Sequence, residues 1–304
     1  MRGQRLLTRL SILTVPLALI VAHYVEVVRP SYLNWGATAE EQSRALPGDE
    51  IVDRAMSQAT RAITIAAPPD QVWPWIAQLG QDRGGFYSFD LLENLVGCEM
   101  PTVDVLRPDK QSWKLGDKLW MYPSDKAGGA GFATLMAYEP GRILGFGTRL
   151  VGTSLDHPEN GSWTYVLEPA GATYTRLLVR GRGSPRHTML GVGFDWIVFE
   201  PIHFAMERRM LIGLAEVAET GARSRGLNHL HVLLWTVTFG LFVAANVGVI
   251  RRDKWVRPLV AFVAAAAVFE VLTLRQPPLV IGVSMVVAVG FILWPWRRNR
   301  TDAT

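Results

Sequence analysis

The stretch of residues 61–98 changes its hydrophobic period from that of a strand to that of a helix within a few residues. In RAITIAA, residues 61–67, apolar side chains alternate with smaller or polar ones, as in a half-buried strand. Two prolines end this pattern, and Asp70 is placed to cap a helix whose apolar residues recur three and four apart until Gly80. A second short helix follows the glycine. The sequence therefore predicts a strand and then two helices.

Five short extended runs come next, and each ends in residues that favour turns. They are residues 117–123, 131–140, 142–150, 162–171 and 174–183. Proline and glycine punctuate these runs as in β-hairpins, which predicts an antiparallel meander. A long amphipathic helix is then expected from about Pro201 to Gly221, because proline is favoured in the first helical turn and glycine just past the last. The predicted fold class is α+β.

One strand, two short helices, a meander and a long final helix make up the helix-grip arrangement, in which a curved antiparallel sheet wraps the last helix and leaves a cavity. Four segments carry a resemblance to a known family: WGATAEE (35–41), LPGDE (46–50), TIAAPPDQVWPWIAQLGQDRGGFYSFDLLEN (64–94) and EPIHFAMERRMLIGLAE (200–216). On these segments, the chain from about Trp35 to Ala222 resembles the START-like superfamily, also called SRPBCC or polyketide cyclase/dehydrase-like, and within it a bacterial, membrane-anchored branch. The resemblance implies a helix-grip domain over residues 30–228. It leaves the function open, because the superfamily includes lipid-transfer proteins, ligand sensors and cyclases.

Long apolar runs occupy the last quarter of the chain. They are residues 232–250, 258–274 and 279–296, each close to the roughly 20 residues that a bilayer-spanning helix needs. We expect residues 229–304 to form three transmembrane helices. A fourth apolar segment, 10–28, follows three arginines and has no clean small-residue cleavage motif after it. It predicts an uncleaved membrane anchor within residues 1–29, with a signal peptide or a helix lying flat on the membrane as alternatives.

Basic residues predict the orientation in the membrane. Clusters of arginine and lysine lie before the first apolar segment, between the second and third (251–257) and after the last, whereas the connection 275–277 has one arginine. The positive-inside rule then places both termini in the cytoplasm and the domain outside, in a multi-pass protein of the cell membrane. The same residues account for the net charge of +4, so anionic lipid is a better partner than nucleic acid. A single cysteine, Cys98, excludes an internal disulfide.

The loop between the two short helices, residues 81–90, is the densest cluster of polar and aromatic side chains. Arg83, Phe86 and Tyr87 are its predicted ligand-binding residues, because charged and aromatic side chains on a loop suit the mouth of a pocket. The alternative is structural. The charged residues would then bond the loop backbone, and Ser88 would cap the second helix.

Polar residues on the final helix form a second candidate group. Glu200, His203 and Glu207 are three and four apart, so they share one helix face, where they could act as general acid and base or bind a metal. In the alternative interpretation, His203 is a satisfied core residue and Glu207 pairs with a sheet arginine such as Arg180. No second histidine or cysteine follows at ligand spacing in this part of the sequence. We therefore expect neither a metal site nor a cofactor.

The first function hypothesis is membrane-tethered binding of a hydrophobic small molecule or lipid, as a carrier or sensor. The lining expected from the final helix is Trp196, Phe199, His203, Met206 and Met210. Methionine and aromatic side chains adapt to flexible apolar ligands, which favours this interpretation.

The alternative is a cyclase- or dehydratase-like enzyme that uses the same cavity. His203 or Glu207 would then be the general base. Tyr87 or Arg83 would polarise a substrate oxygen. A third possibility is a domain that only docks another protein of the cell envelope.

Overall fold

The computed structural model describes residues 14–52, 55–101, 103–126, 131–148, 161–183, 188–251 and 254–294. The arginines before residue 14, most of the glycine-rich run and the basic residues after 294 lie outside the described residues. The chain divides into two compact units. We call residues 31–224 the sheet unit, and residues 1–30 with 225–304 the helical unit.

In the described part of the chain, six strands form one open antiparallel sheet in the order β1-β6-β5-β4-β3-β2. They are β1 (Ser57–Ile65), β2 (Lys118–Trp120), β3 (Phe132–Glu139), β4 (Ile143–Thr148), β5 (Gly161–Pro169) and β6 (Thr175–Gly183). The chain passes from β1 at one edge to β2 at the other and returns strand by strand, so β6 ends beside β1. The predicted meander and the α+β class are confirmed, although residues 149 and 150 of the third run lie outside the described residues.

Helices of the sheet unit lie before, between and after these strands. They are α1 (Arg29–Leu33), α2 (Ala39–Ser43), α3 (Pro69–Ala77), α4 (Asp90–Leu95), α5 (Met189–Phe194) and α6 (Glu200–Thr220), with short 3-10 helices at Asp49–Val52 and Pro108–Lys110. Pro68, not Asp70, is the N-cap of α3, because Pro69 already has the helical φ that the first turn needs. The capping prediction for Asp70 was wrong by two residues.

The final helix extends further toward its N-terminus than the sequence predicted. Gly221 ends α6 in the left-handed conformation, as expected. At the other end, Phe199 has helical dihedral angles instead of those of a cap. A π-helix, Asp195–Phe199, joins α5 to α6 without a break, so helical structure runs from Met189 to Thr220. Proline at the second helical position therefore did not mark the start of the whole helix.

The inner face of the sheet packs against α3 and α6. Side chains from all six strands and both helices form one apolar core, with Ile65, Leu119, Leu135, Phe146, Tyr165 and Leu177 opposite Ile76, Met210, Leu211 and Leu214. Successive strand residues point to opposite faces, so Arg61 in β1 shares this inner face with Ile63 and Ile65.

Residues 37–52 cover the outer face of β1, β6 and β5. The chain reaches this face around the edge of β1, where the Trp35 carbonyl accepts a hydrogen bond from the Ala62 N–H (3.0 Å). Gly36 follows with φ +73°, and a Cβ there would lie 2.1 Å from the Ala62 carbonyl oxygen. The turn at this edge therefore requires glycine.

Ion pairs fasten this covering segment to the sheet. Arg180 donates to Asp49 (2.9 Å), and Arg176 donates two 2.7 Å hydrogen bonds to the Glu41 carboxylate. Thr38 and Glu41 form a capping box that begins α2: the Thr38 hydroxyl accepts from the Glu41 N–H, and the Glu41 carboxylate accepts from the Thr38 N–H. Both arginines belong to β6 and point away from the inner face.

The helical unit contains residues 14–30 and three C-terminal helices, α7 (Arg225–Arg251), α8 (Val256–Leu274) and α9 (Leu279–Leu293). Within the described residues, three helices are long and apolar enough to cross a membrane: Met189–Thr220, Arg225–Arg251 and Val256–Leu274. The α9 helix is shorter, at 15 residues. Inside this unit, His23 on the N-terminal helix hydrogen-bonds Glu270 on α8 (2.9 Å). The number of passes and their direction stay predictions.

Candidate functional site

A buried ion pair lies on the inner face of the sheet. Arg61 of β1 donates from Nη1 to Oε2 of Glu207 on α6, and both side chains are almost completely buried. Arg61 Nε also donates to the Tyr32 carbonyl (2.8 Å), and its guanidinium lies 5.3 Å from the centroid of the Phe204 ring. A charge buried this far from water needs such partners, because its desolvation is costly.

The Glu207 carboxylate has partners on both oxygens. Trp163 of β5 donates from Nε1 to Oε1 (2.8 Å). His203, one turn earlier on α6, places Nδ1 3.7 Å from Oε2, beyond hydrogen-bond length. The carboxylate is therefore held in one orientation by β1 and β5, with an imidazole beside it.

Aromatic side chains continue outward from this pair. The ring centroid of Trp163 is 5.9 Å from that of Phe86 and 5.8 Å from that of His203. His203 in turn stacks on Phe199 at 5.5 Å. We call Phe86, Trp163, His203 and Phe199 the aromatic row. Its inner end, Phe86, is 7% exposed, and its outer end, Phe199, is 52% exposed. The row thus runs from the core to the surface of the unit.

Small residues lie on the strand positions next to the row. Cross-strand register places Gly181 of β6 between Trp163 of β5 and Ala59 of β1. A Cβ added at Gly181 would meet only the Ser162 carbonyl oxygen, at an ordinary contact distance of 3.7 Å. This part of the inner face therefore has space where larger side chains fill the rest of the sheet. We call Ala59 and Gly181 the small-residue floor.

Tyr165 and Met210 border the site on the core side. The Tyr165 hydroxyl lies 3.4 Å from Met210 Sδ, and its ring lies 5.1 Å from that of Trp163. Burial, with the nearby Glu207 charge, holds the pKa of Tyr165 well above its usual value. The hydroxyl therefore stays protonated at neutral pH and can donate a hydrogen bond. Met206 faces Ser88, whose hydroxyl donates to the Met206 carbonyl (2.6 Å).

Of the residues predicted from the sequence, the structure brings together Phe86, Phe199, His203 and Glu207. Met210 joins them through Tyr165. Trp196 lies in the π-helix before Phe199 and is partly exposed. The ligand contacts predicted for these residues stay predictions.

Tyr87 and Arg83 have structural surroundings. Tyr87 is buried in the core, where its hydroxyl accepts a hydrogen bond from Gln78 Nε2 (2.7 Å) and burial raises its pKa. Arg83 lies over the Trp113 ring, 3.6 Å from its centroid, and donates to the Lys110 carbonyl (2.8 Å). These contacts of the loop 81–90 are structural, in line with the structural alternative. The capping prediction for Ser88 was wrong, because Phe89 is the N-cap of α4 and the Ser88 hydroxyl donates to the Met206 carbonyl instead.

Sequence reasoning missed Arg61 and Trp163. Glu207 does pair with a sheet arginine, as the alternative interpretation proposed, but the partner is Arg61. Arg180, the example given there, points to the outer face and pairs with Asp49. The parity of β1 was an available signal, since Arg61 shares the alternation of Ile63 and Ile65 and had to be buried with them. Its partner depended on which helix covers β1, which the sequence did not show.

The chemistry of the site combines one buried charge pair, one imidazole and aromatic walls. Among the described residues, no group of three histidine, cysteine, aspartate or glutamate side chains is arranged to hold a metal ion. The arrangement suits a molecule whose apolar body contacts the rings and whose polar group reaches His203 or the edge of the Arg61–Glu207 pair.

No protein-family model matches the chain, and no curated protein does. Solved structures give faint likenesses. A structural-genomics protein from Mesorhizobium loti is 16% identical, with a TM-score of 0.30 over 53% of this chain and 96% of that one. A protein from Nitrosospira multiformis is 16% identical, with a TM-score of 0.31 over 54% and 97%. A conserved protein of unknown function from Enterococcus faecalis is 14% identical, with a TM-score of 0.29 over 55% and 74%. We draw nothing about fold or function from TM-scores this low.

Proposed function

We propose that the sheet unit is a helix-grip domain of the START-like kind that binds a hydrophobic small molecule or lipid beside a membrane. The antiparallel meander packed on α6 and the segments resembling that superfamily support this assignment. Helices long and apolar enough to cross a bilayer support the tether. In this proposal the protein is multi-pass, and the sheet unit lies outside the cytoplasm as the basic residues predict.

The aromatic row is the observation that carries the proposal. A row made for core packing alone would end inside the unit, yet Phe199 and His203 stay partly exposed at its outer end. The small-residue floor leaves room beside the inner part of the same row. An apolar ligand lying along the row would bury ring surface at roughly 25 cal/mol per Å².

A polar group on the ligand would account for the charges at the inner end. The Arg61–Glu207 pair and the Trp163 N–H hold one another in place before any ligand arrives. The partly exposed His203 imidazole beside them is the polar group that a hydroxyl, amide or phosphate of the ligand would meet. We therefore favour an amphipathic ligand, such as a lipid with one head group, over a plain hydrocarbon.

The enzyme alternative rests on one distance, the 3.7 Å between His203 Nδ1 and Glu207 Oε2. A carboxylate that orients an imidazole is a common general-base arrangement. Here the same carboxylate oxygen accepts from Arg61 and lies beyond hydrogen-bond length of His203, so it does not orient the imidazole in this structure. If the protein converts a bound ligand, and His203→Gln abolishes that conversion but not ligand binding, the enzyme alternative would be favoured over simple binding.

Native mass spectrometry of the full chain in mild detergent, followed by lipid extraction, tests the proposal. We expect a defined bound mass on the wild-type protein. Gly181→Val places a side chain on the small-residue floor, where a Cβ meets only the Ser162 carbonyl oxygen at 3.7 Å, and Phe199→Ala shortens the row, so both variants should lose that mass. Met136→Val, on the exposed part of β3, is the matched strand control and should keep it. A wild-type protein that is reproducibly empty, or variants that bind like the control, would refute the proposal.

A further inference from the structure

The N-terminal part of the continuous helix Met189–Thr220 projects from the core of the sheet unit. Its apolar side chains are strongly exposed, with Leu190 at 89% and Ile197 at 73%. Neither α5 nor the π-helix contains a buried residue. Trp196, Ile197, Val198 and Phe199 are all exposed, and four successive residues at 100° intervals cover most of a helix circumference. The surface is therefore apolar on several sides, unlike a helix that packs one face on a core.

Packing excludes a membrane crossing by this helix. Its second half contributes Met210, Leu211 and Leu214 to the same core as Val179 of β6. The last residue of β6 is Gly183, and the helix rejoins that core at Met210, after its first fully buried residue, Phe204. If the helix crossed a bilayer, β6 and the second half of the helix would lie on opposite sides of it. The segment must therefore go out and come back on one side.

The reach of the projection fits partial insertion. From Met189 to Phe204 the helix rises by about 22 Å, at 1.5 Å per residue. Residues 189–199, the strongly exposed part, rise by about 15 Å. This is about half of the roughly 30 Å hydrocarbon thickness, so the segment fits within one leaflet.

The contacts of Tyr32 indicate that the exposed apolar surface of residues 189–199 faces a lipid bilayer. Tyr32, the second residue of the unit, donates from its hydroxyl to Glu200 Oε2 (2.9 Å) and stacks on Phe204 at 5.4 Å. The apolar segment 10–28 ends only a few residues before it. Tyr32, a few residues after the predicted membrane anchor in sequence, is thus fastened within the sheet unit to the beginning of α6, next to the projecting segment.

We propose that residues 189–199 insert into one leaflet of the bilayer without crossing it, which places Phe199 and His203 at the membrane surface. The insertion is independent of any bound ligand. If the proposed function also holds, a lipid reaches the aromatic row directly from the leaflet, because the exposed end of the row is the last turn of the inserted segment.

Depth-dependent quenching in liposomes tests the insertion on the full chain. In a Cys98→Ser background, Leu190→Cys and Ile197→Cys carry an environment-sensitive fluorophore, and the vesicles contain phosphatidylcholine, phosphatidylglycerol and a nitroxide-labelled lipid. Leu95→Cys, at 79% exposed on α4, is the matched control for an exposed leucine of the same unit. We expect several-fold stronger quenching at 190 and 197 than at 95.

Equal quenching at all three positions would overturn the proposal. So would a blue-shifted fluorophore at 190 that lipid nitroxides do not quench and that responds to protein density, because this indicates a second copy of the chain as the occupant. Photolabelling of the unmodified protein with a diazirine lipid covers the case in which the cysteine variants misfold. Labels within 189–199 are expected, and their absence beside labelled α7 and α8 peptides would contradict the insertion.

Discussion

The two faces of the sheet both bury arginines, but they satisfy them in different ways. On the outer face, Arg180 donates to Asp49, to the Thr60 hydroxyl and to main-chain carbonyls of the covering segment. On the inner face, Arg61 relies on one carboxylate and one carbonyl, beside rings that open to the surface. A guanidinium surrounded by many local acceptors fastens a segment. Arg61 has fewer partners and lies beside partly exposed rings, and this is where we propose that a ligand binds.

Among variants that test this comparison, we expect the largest change in stability at Glu207. Glu207→Leu leaves Arg61 buried without its charge partner, which should lower the free energy of unfolding by about 3–5 kcal/mol. Adding Arg61→Met should recover most of that loss, because the unpaired charge is then gone. Denaturant unfolding of the full chain in detergent, followed by tryptophan fluorescence, measures both. A double variant as unstable as the single one would show that the pair itself holds the inner face together.

Arg180→Met should cost less, about 2–3 kcal/mol, although it removes more hydrogen bonds. Its main-chain partners lie near the surface, and Asp49 is partly exposed, so water can replace the lost donor. The same unfolding measurement applies. Arg142→Met removes an exposed pair with Glu139 and should change stability by no more than about 0.5 kcal/mol. If Arg180→Met changed stability as little as Arg142→Met, the attachment of the covering segment to the sheet would not depend on Arg180.

The outer network should also give the protein an acid limit. The hydrogen bonds from Arg176 lower the pKa of Glu41 from 4.5 to about 2. Because the folded-state pKa is depressed, the stabilisation is complete above about pH 4.5 and is lost as the pH falls toward 2. Unfolding free energies measured over this window should fall in the wild type and fall less in Glu41→Gln. Glu40→Gln, the adjacent exposed position, should follow the wild type.

Glu93 on α4 belongs to neither face of the sheet, and its effect on stability should have the opposite sign. Burial, and then the charge of Asp90, raise its pKa from 4.5 to about 7. Between these values the folded chain holds a proton that the unfolded chain has lost, so stability should decrease as the pH rises from about 4.5 to 7 and then level off. Glu93→Gln should flatten this slope, and Glu139→Gln should not. A slope that survives Glu93→Gln would assign it to another group.

Local patterns were enough for most of the sheet, and they failed where contacts are distant in sequence. Alternation and turn residues predicted the strands because both signals lie within a few residues. The Arg61–Glu207 pair spans 146 residues and follows from strand order and from the helix that covers β1. The projecting helix was missed because Gly191 and Gly193 are poor helix formers, and because Pro201 gave a plausible start signal. Likewise, the position of Gly181 beside Trp163 and Ala59 follows from strand register, which the sequence around it does not show.

The hydrogen bond between His23 and Glu270 has a consequence for how the protein is made. It joins residues 247 positions apart within one unit, and the entire sheet unit lies between them in sequence. During synthesis the N-terminal helix emerges first but cannot meet its partner until α8 has left the ribosome. Since domains generally fold as they emerge, the sheet unit can complete its fold while the helical unit is still unfinished. The helical unit is therefore the last part of the molecule to assemble, because its N-terminal helix is synthesised first and its partner α8 near the end.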